Sequence, residues 1–257
     1  MTREELKAKL DCMSAAKFRF VARIVDALEH APTASVKAAR TWITGSPAWL
    51  EHFSLALSVH HGVTEEPLRL ESFETVFRGA CDSAGWDVDL PGSPTRRFVD
   101  LVANPGDGPR RLSLKSTAAR KLSERTIHIS KLTEAAWIQD VRSARARRDN
   151  LLELFSEYSG SVDAIIMLRA FRRQARIPHR YQLLEIPVSV FAPLRDLPLS
   201  AFRSDAPVLP CRVGSNVLAR VAMDRSDAKI TVRSISVAAC VTHAEWYCRD
   251  KRDRVAP

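Results

Sequence analysis

Residues 98–115, FVDLVANPGDGPRRLSLK, constrain the fold of this chain more than any other stretch. Phe98, Val99, Leu101, Val102 and Ala103 form an apolar run interrupted by one acid, Asp100. The Pro- and Gly-rich segment 104–109 marks a turn. The spacing predicts a hairpin with strands near 97–103 and 110–116. Period two then puts Ser113 and Lys115 on one face of the second strand, and Leu112 and Leu114 on the other. Burying an acid or an amine alone is costly. Both together in one apolar hairpin point to a metal and an anionic substrate rather than to packing.

The remaining pattern places this hairpin in a larger frame. Residues 1–60 read as helical, with Leu6, Leu10, Met13, Phe18, Phe20, Val21, Ile24, Val25 and Leu28 at roughly helical spacing. Pro32 and Gly45-Ser46-Pro47 punctuate this region, and Trp42, Trp49, Phe53 and Leu57 read as core anchors. A second helix is predicted over 68–83, with Leu70, Phe73, Val76, Phe77 and Ala80 as its stripe, ended by Gly85 and a Pro91-Gly92 turn. Residues 125–131 alternate as a strand. A long helix is predicted over 133–158, with Trp137, Val141, Leu151, Leu152, Leu154 and Phe155 inward and Arg142, Arg145, Arg147 and Arg148 crowding its middle. Residues 163–171 and 179–186 read as buried strands, and 216–223 and 229–242 as later ones. Helices first, then strands with helices interspersed, argue for an α/β (α+β) class with a central mixed sheet flanked by helices. The expected partition is a single domain, 1–257, with a helical subregion at 1–62 and the core at 63–257.

The 257 residues carry a formal net charge of +9. That balance suggests a polyanionic partner. The five cysteines are scattered and form no CxxC, which argues against a zinc finger or a disulfide framework and fits a reducing cytoplasm. No apolar run approaches a membrane span, and the charged start MTREELKAKL does not resemble a signal peptide.

On the 68–83 helix Glu74 falls at the edge of the apolar stripe, beside Leu70 and Cys81. Hydrolysing a phosphodiester requires an activated water and stabilisation of charge on the phosphate oxygens. Mg²⁺ on one or two carboxylates supplies both. Asp100 and Glu74 are placed to be those carboxylates, with the Leu114 carbonyl as a further hard ligand and Lys115 to position the water and neutralise charge. Basic residues surround this centre: Arg96, Arg97, Arg110, Arg111, Arg120, Lys121, Arg125 and Lys131. Singly each reads as solvated surface charge; as a cluster they suit phosphate contact. Thr126, His128 and Ser130 share one strand face, suited to phosphates, base edges or water. Arg172, Arg173, Arg176, His179 and Arg180 follow a buried strand as a basic loop, and arginines there suit groove entry. His60-His61 reads as loop.

The order Glu on a helix, Asp on a strand, then acid-x-Lys on the next strand resembles the PD-(D/E)XK nuclease superfamily, and more closely the SmaI type of restriction endonuclease. The segments that carry the resemblance are FETVF (73–77), the Asp100 strand, SLK (113–115), AARKLSERTIHISK (118–131), YQLLEIP (181–187) and VTHAEW (241–246). The resemblance implies Asp100 as central metal ligand, Lys115 as catalytic lysine and Glu74 as the helix-borne acid. Ser113 stands where an acid is usual in the superfamily. No proline directly precedes Asp100, Pro94 being the nearest upstream. By the same resemblance the chain is expected to be a Mg²⁺-dependent, homodimeric type II endonuclease. It would cut double-stranded DNA at a GC-rich palindrome such as CCCGGG, to blunt ends. A companion DNA methyltransferase is implied, without a stable complex. Two other readings share the same residues: a repair or structure-specific nuclease, and a non-catalytic DNA-binding regulator.

Overall fold

A computed structural model describes residues 1–89, 97–172 and 178–248. The Pro91-Gly92 turn, Pro94, Arg96, Arg173 and Arg176 lie outside the described residues. The chain opens with helices α1 (Arg3–Asp11), α2 (Ala15–Glu29), α3 (Pro47–Val63) and α4 (Leu70–Ser83), with a short strand β1 (Ala34–Val36) between α2 and α3. Strands β2 (Asp87–Asp89), β3 (Leu101–Asn104), β4 (Arg110–Thr117) and β5 (Thr126–Glu134) follow, then helix α5 (Ala144–Ser161). The remainder is β6 (Ala164–Phe171), β7 (Arg180–Pro187), β8 (Val208–Val213), β9 (Asn216–Asp224), β10 (Lys229–Ser236) and β11 (Val241–Tyr247).

Two sheets result. The larger has seven strands in the order β1-β11-β7-β6-β4-β3-β2, and the smaller has four in the order β5-β10-β9-β8. In the larger sheet β4 and β6 run parallel while the other pairings are antiparallel, so it is mixed as expected. A parallel pair needs a long crossover, and β5 with α5 provides it. Strand β6 is buried along its whole length, which suits its largely apolar sequence, and its one charged residue, Arg169, donates to Gln182 Oε1 (2.8 Å).

The two faces of the large sheet close two cores. On one face Leu112, Leu114, Ile166, Leu168 and Leu183 pack against Trp49, Phe53 and Leu57 of α3 and Phe73 and Phe77 of α4. On the other, Ile165, Met167, Leu184 and Ile186 pack against Leu151, Leu154, Phe155 and Tyr158 of α5 and the inner face of the small sheet. The alternation within β4 thus assigns its leucines to the first core and turns Ser113 and Lys115 toward α5.

Helix α4 is set firmly. Phe73, Phe77, Ala80 and Cys81 recur at helical spacing and are buried. Its end is a Schellman turn: Gly85, at φ +71°, donates to Asp82 O (3.0 Å), and Trp86 donates to Cys81 O (3.0 Å).

Several boundaries differ from the sequence reading. The helix expected over 133–158 is three elements. Strand β5 runs on to Glu134 because Leu132 still faces the core, a 3-10 turn spans Ala136–Gln139, and α5 starts only after Ser143, whose Oγ caps Ala146 N (3.1 Å). The strand expected over 229–242 divides into β10 and β11, which belong to different sheets. His60 and His61 close the last turn of α3 rather than a loop, and His61 Nε2 bonds Tyr181 Oη (2.9 Å). The helical stretch 1–60 contains strand β1, which pairs with β11.

Candidate active site

Strand β3 is shorter than its apolar run. It begins at Leu101, and Asp100 lies just ahead of it. Asp100 N still donates to Leu112 O (2.8 Å), so the ladder between β3 and β4 reaches one residue further. There the chain turns away: Phe98 adopts φ +79°, an unfavourable conformation for a bulky residue. The amide and carbonyl of Leu114 point to the same side of β4 as the Leu112 carbonyl, where no β3 backbone remains to meet them. The Asp100 carboxylate fills that place, with Oδ2 accepting from Leu114 N (2.7 Å).

The same oxygen collects further donors. Ser113 Oγ donates to Asp100 Oδ2 (3.2 Å), and Lys115 Nζ donates to it at 3.2 Å. Lys115 Nζ also reaches Ser113 Oγ (2.8 Å) and Leu114 O (3.0 Å). The lysine and aspartate side chains are 18% and 33% exposed, so the pair is sheltered yet reachable from solvent. Asp100, Ser113, Leu114 and Lys115 thus meet at one point. Ser113 itself is buried.

Glu74 approaches from α4. Burial, then the charge of Asp100, pushes its carboxyl above the ordinary value, and Lys115 partly opposes this. Two carboxylates that feel one another beside a backbone carbonyl suit a hard divalent cation. Asp100, Glu74 and Leu114 O would hold it. Among the described residues no three His, Cys, Asp or Glu side chains form a metal cluster, so protein carbonyl, water and substrate oxygens would complete the coordination.

Tyr158 of α5 was not singled out by the sequence. It is fully buried, with its ring edge-on to Phe98 (5.1 Å between centroids). Its hydroxyl lies beside Ser113 but has no completed hydrogen bond. Burial raises its pKa; the Ser113 hydroxyl lowers it and the charge of Asp100 raises it further. No motif marks Tyr158; the signal is the parity of Ser113 on β4, which turns that side chain toward α5.

The basic residues divide into engaged and open sets. Arg111 is locked to Asp163 (2.7 Å) and Gly160 O (2.6 Å), and Arg110 pairs with Asp107 (2.6 Å) and stacks over Trp42 (5.2 Å). Both are held in the hairpin base rather than left for phosphate. Arg97 binds Glu134 O (3.1 Å). Arg172 is half-buried and its guanidinium bonds Ala118 O, tethering the loop after β4; Arg173 lies outside the described residues. Lys131 pairs with Glu134 (2.6 Å) in an exposed contact that solvent weakens. Arg147 is buried, tying α5 to the carbonyls of Phe202 (3.0 Å) and Arg203 (3.0 Å). Arg120 and Lys121 are exposed on that loop, and His128 and Ser130 lie on the solvent side of β5, with Ile127 and Ile129 inward.

Next to His128 the small sheet bears a cation pair that the sequence reading did not find. Arg233 of β10 stands opposite Arg220 of β9. Each alternates with a buried valine, Val232 and Val221, and so shares the outer face. Like charges opposite each other on antiparallel strands are destabilising, and among the described residues no carboxylate pairs with either. Burial, then the charge of Arg233, lowers the pKa of His128. Only the register of a hairpin a hundred residues from β5 brings these three side chains together, and no local pattern reveals it.

Comparison with known proteins adds one observation. Over 204 residues the chain is 24% identical to the type II restriction enzyme SmaI of Serratia marcescens, covering 76% of this chain and 77% of that one. The likeness supports a relationship to type II restriction enzymes. No family model matches the chain, and no solved structure matches it. Among the described residues no helix is long and apolar enough to cross a membrane.

Proposed function

We propose that this chain is a Mg²⁺-dependent type II restriction endonuclease that hydrolyses phosphodiester bonds of double-stranded DNA. The observation that carries the reading is the meeting of Lys115 Nζ with Asp100 Oδ2 (3.2 Å) and Leu114 O (3.0 Å) at the end of β3. The resemblance to SmaI supports it.

Asp100, Glu74 and Leu114 O would hold the cation, which would acidify water and neutralise phosphate charge. Lys115 is fixed by Ser113 and Asp100, so its ammonium is directed at the oxygens around the phosphorus. It orients the attacking water and stabilises the charge that grows on the non-bridging oxygens. Ser113 acts as a hydrogen-bonding bridge between Asp100 and Lys115. Phosphates along the duplex are met by Arg120, Lys121, His128, Ser130 and Lys131 and by the Arg220–Arg233 pair, which gives sequence-independent affinity. A GC-rich palindrome such as CCCGGG, cut to blunt ends by a homodimer with one site per strand, follows from the resemblance and from the two-fold symmetry of such a target. Reading of base edges is assigned to the basic segment that follows β6. The protein works in the cytoplasm beside a methyltransferase that protects the host sites, without a stable complex.

The test is digestion of plasmid and phage DNA with Mg²⁺, followed by sequencing of the ends. Cuts at one short palindrome support the reading. Nicks at mismatches or branches make the chain a repair nuclease. Specific binding without any cleavage makes it a regulator.

A further inference from the structure

The hydrogen bonds of Ser113 leave one position open. A serine hydroxyl has one proton to donate and two lone pairs to accept. The proton goes to Asp100 Oδ2 (3.2 Å), and one lone pair takes the Lys115 ammonium (2.8 Å). The second lone pair has no donor among these contacts. The Tyr158 hydroxyl of α5, which feels the Ser113 hydroxyl and the Asp100 charge, is fully buried and has no completed hydrogen bond. A buried polar atom left unpaired is rare, and each instance calls for an explanation.

The placement of that hydroxyl is not accidental packing. Tyr158 stands on α5 with its ring wedged between Phe98 (5.1 Å) and Phe191 (6.4 Å). Phe98 is the residue whose positive φ diverts the chain just before Asp100. The residue that turns the chain is thus the one that seats the tyrosine ring, and the hydroxyl is carried to Ser113.

We propose that Tyr158 is a positioning residue of this site, whose hydroxyl donates to Ser113 Oγ and so commits the serine's proton to Asp100 and its other lone pair to Lys115. The inference rests on the nuclease reading. With its donor and both acceptors engaged, Ser113 is a fixed neutral strut. It holds the Lys115 ammonium at a set distance from Asp100 and is not a metal ligand. Without the tyrosine donor the serine hydroxyl is free to rotate, and the ammonium loses one of its fixed points. Small displacements of a reacting group are expensive in rate.

The experiment is a pair of double-mutant cycles with Tyr158→Phe and Ser113→Ala. The phenylalanine keeps the ring in its cleft and deletes only the oxygen. In cleavage, Tyr158→Phe lowers kcat roughly tenfold to a hundredfold with KM for DNA unchanged, and adds nothing once Ser113 is alanine. In chemical unfolding, which needs no activity, the two changes are non-additive. Unchanged kcat in Tyr158→Phe, or losses that multiply in the double variant, overturn the positioning role. Strictly additive unfolding effects overturn the contact. Wild-type protein that cuts no DNA overturns the nuclease reading and the positioning role with it, while non-additive unfolding still establishes the Tyr158–Ser113 bond.

Discussion

The backbone amide of Leu114 donates to Asp100 Oδ2 across 2.7 Å, at the point where β3 has parted from β4. The carboxylate therefore serves two purposes. It completes a sheet ladder that would otherwise leave a buried N–H unpaired, and it places a negative charge against Lys115 and the Leu114 carbonyl.

These purposes separate in two variants. Asp100→Asn keeps an oxygen for Leu114 N but removes the charge; cleavage falls by at least about a hundredfold, while the thermal midpoint moves little. Asp100→Ala loses cleavage to the same degree and also leaves the Leu114 amide unpaired, at roughly 1–3 kcal/mol of stability. Nicking assays and chemical unfolding of both proteins check this. Equal destabilisation by the two variants refutes the structural half of the argument.

Lys115 is argued in the same way. Lys115→Ala abolishes cleavage, but DNA binding without divalent ions survives, because the proposed reading assigns most of the phosphate contact to the open cations of the β5–β10–β9 face. Filter binding against cleavage rate reads the split. Cleavage at the wild-type rate places the chemistry elsewhere.

The Arg220–Arg233 pair gives a prediction about salt. Each arginine that meets a phosphate contributes about 0.9 to the slope of log K against log salt. Arg220→Gln and Arg233→Gln each flatten that slope by about one, and leave kcat at saturating DNA unchanged. Arg233→Gln also lifts the His128 imidazole toward its ordinary value, since the arginine charge is one cause of its depression. Salt titrations and an NMR titration of the histidine measure the two effects. An unaltered slope in both variants means that this face does not touch DNA.

Buried Arg147 has a purely structural forecast. Its guanidinium satisfies the carbonyls of Phe202 and Arg203 and meets Asp205 (2.9 Å). Arg147→Met removes the donors and leaves those carbonyls facing apolar surroundings. Stability drops by about 3 kcal/mol, since each abandoned acceptor costs roughly 1–3 kcal/mol. Urea unfolding decides, and a loss under half of that shows that water enters in its place.

How much of the fold and site was visible in the sequence depends on the range of each interaction. The hairpin, the partition of Ser113 and Lys115 from Leu112 and Leu114, and the largely apolar β6 were legible because period two, an apolar run and a Pro-Gly turn act within a few residues. Glu74 was legible as the edge of a helical stripe. The short edge strands β1 and β2 were not, since three residues carry no periodicity. The break between β5 and α5 was hidden because Trp137 and Val141 sit at positions that continue a helical pattern by chance. The engagement of Arg111 by Asp163, the burial of Ser113 under Tyr158 and the facing of Arg220 with Arg233 all depend on pairings made across the fold, which no local window contains.

Glu74 gives the pH dependence, and its sign is fixed. Burial and Asp100 place its folded-state pKa above the ordinary value of 4.5. Between the unfolded and folded values the native state holds the extra proton, so stability falls as pH rises through that window and stays lower above it. Glu74→Gln has no such proton to lose. It is therefore more stable than wild type at neutral pH, and the advantage shrinks to nothing as pH drops below 4.5. On the proposed reading a divalent cation would sit against both carboxylates and so oppose the same penalty. Mg²⁺ accordingly raises the thermal midpoint of the wild type more than that of Glu74→Gln. Thermal unfolding across pH, with and without Mg²⁺, measures both. A Mg²⁺ shift of equal size in the two proteins removes Glu74 from the metal site, and a variant less stable than wild type at neutral pH shows that the carboxylate is a structural partner instead.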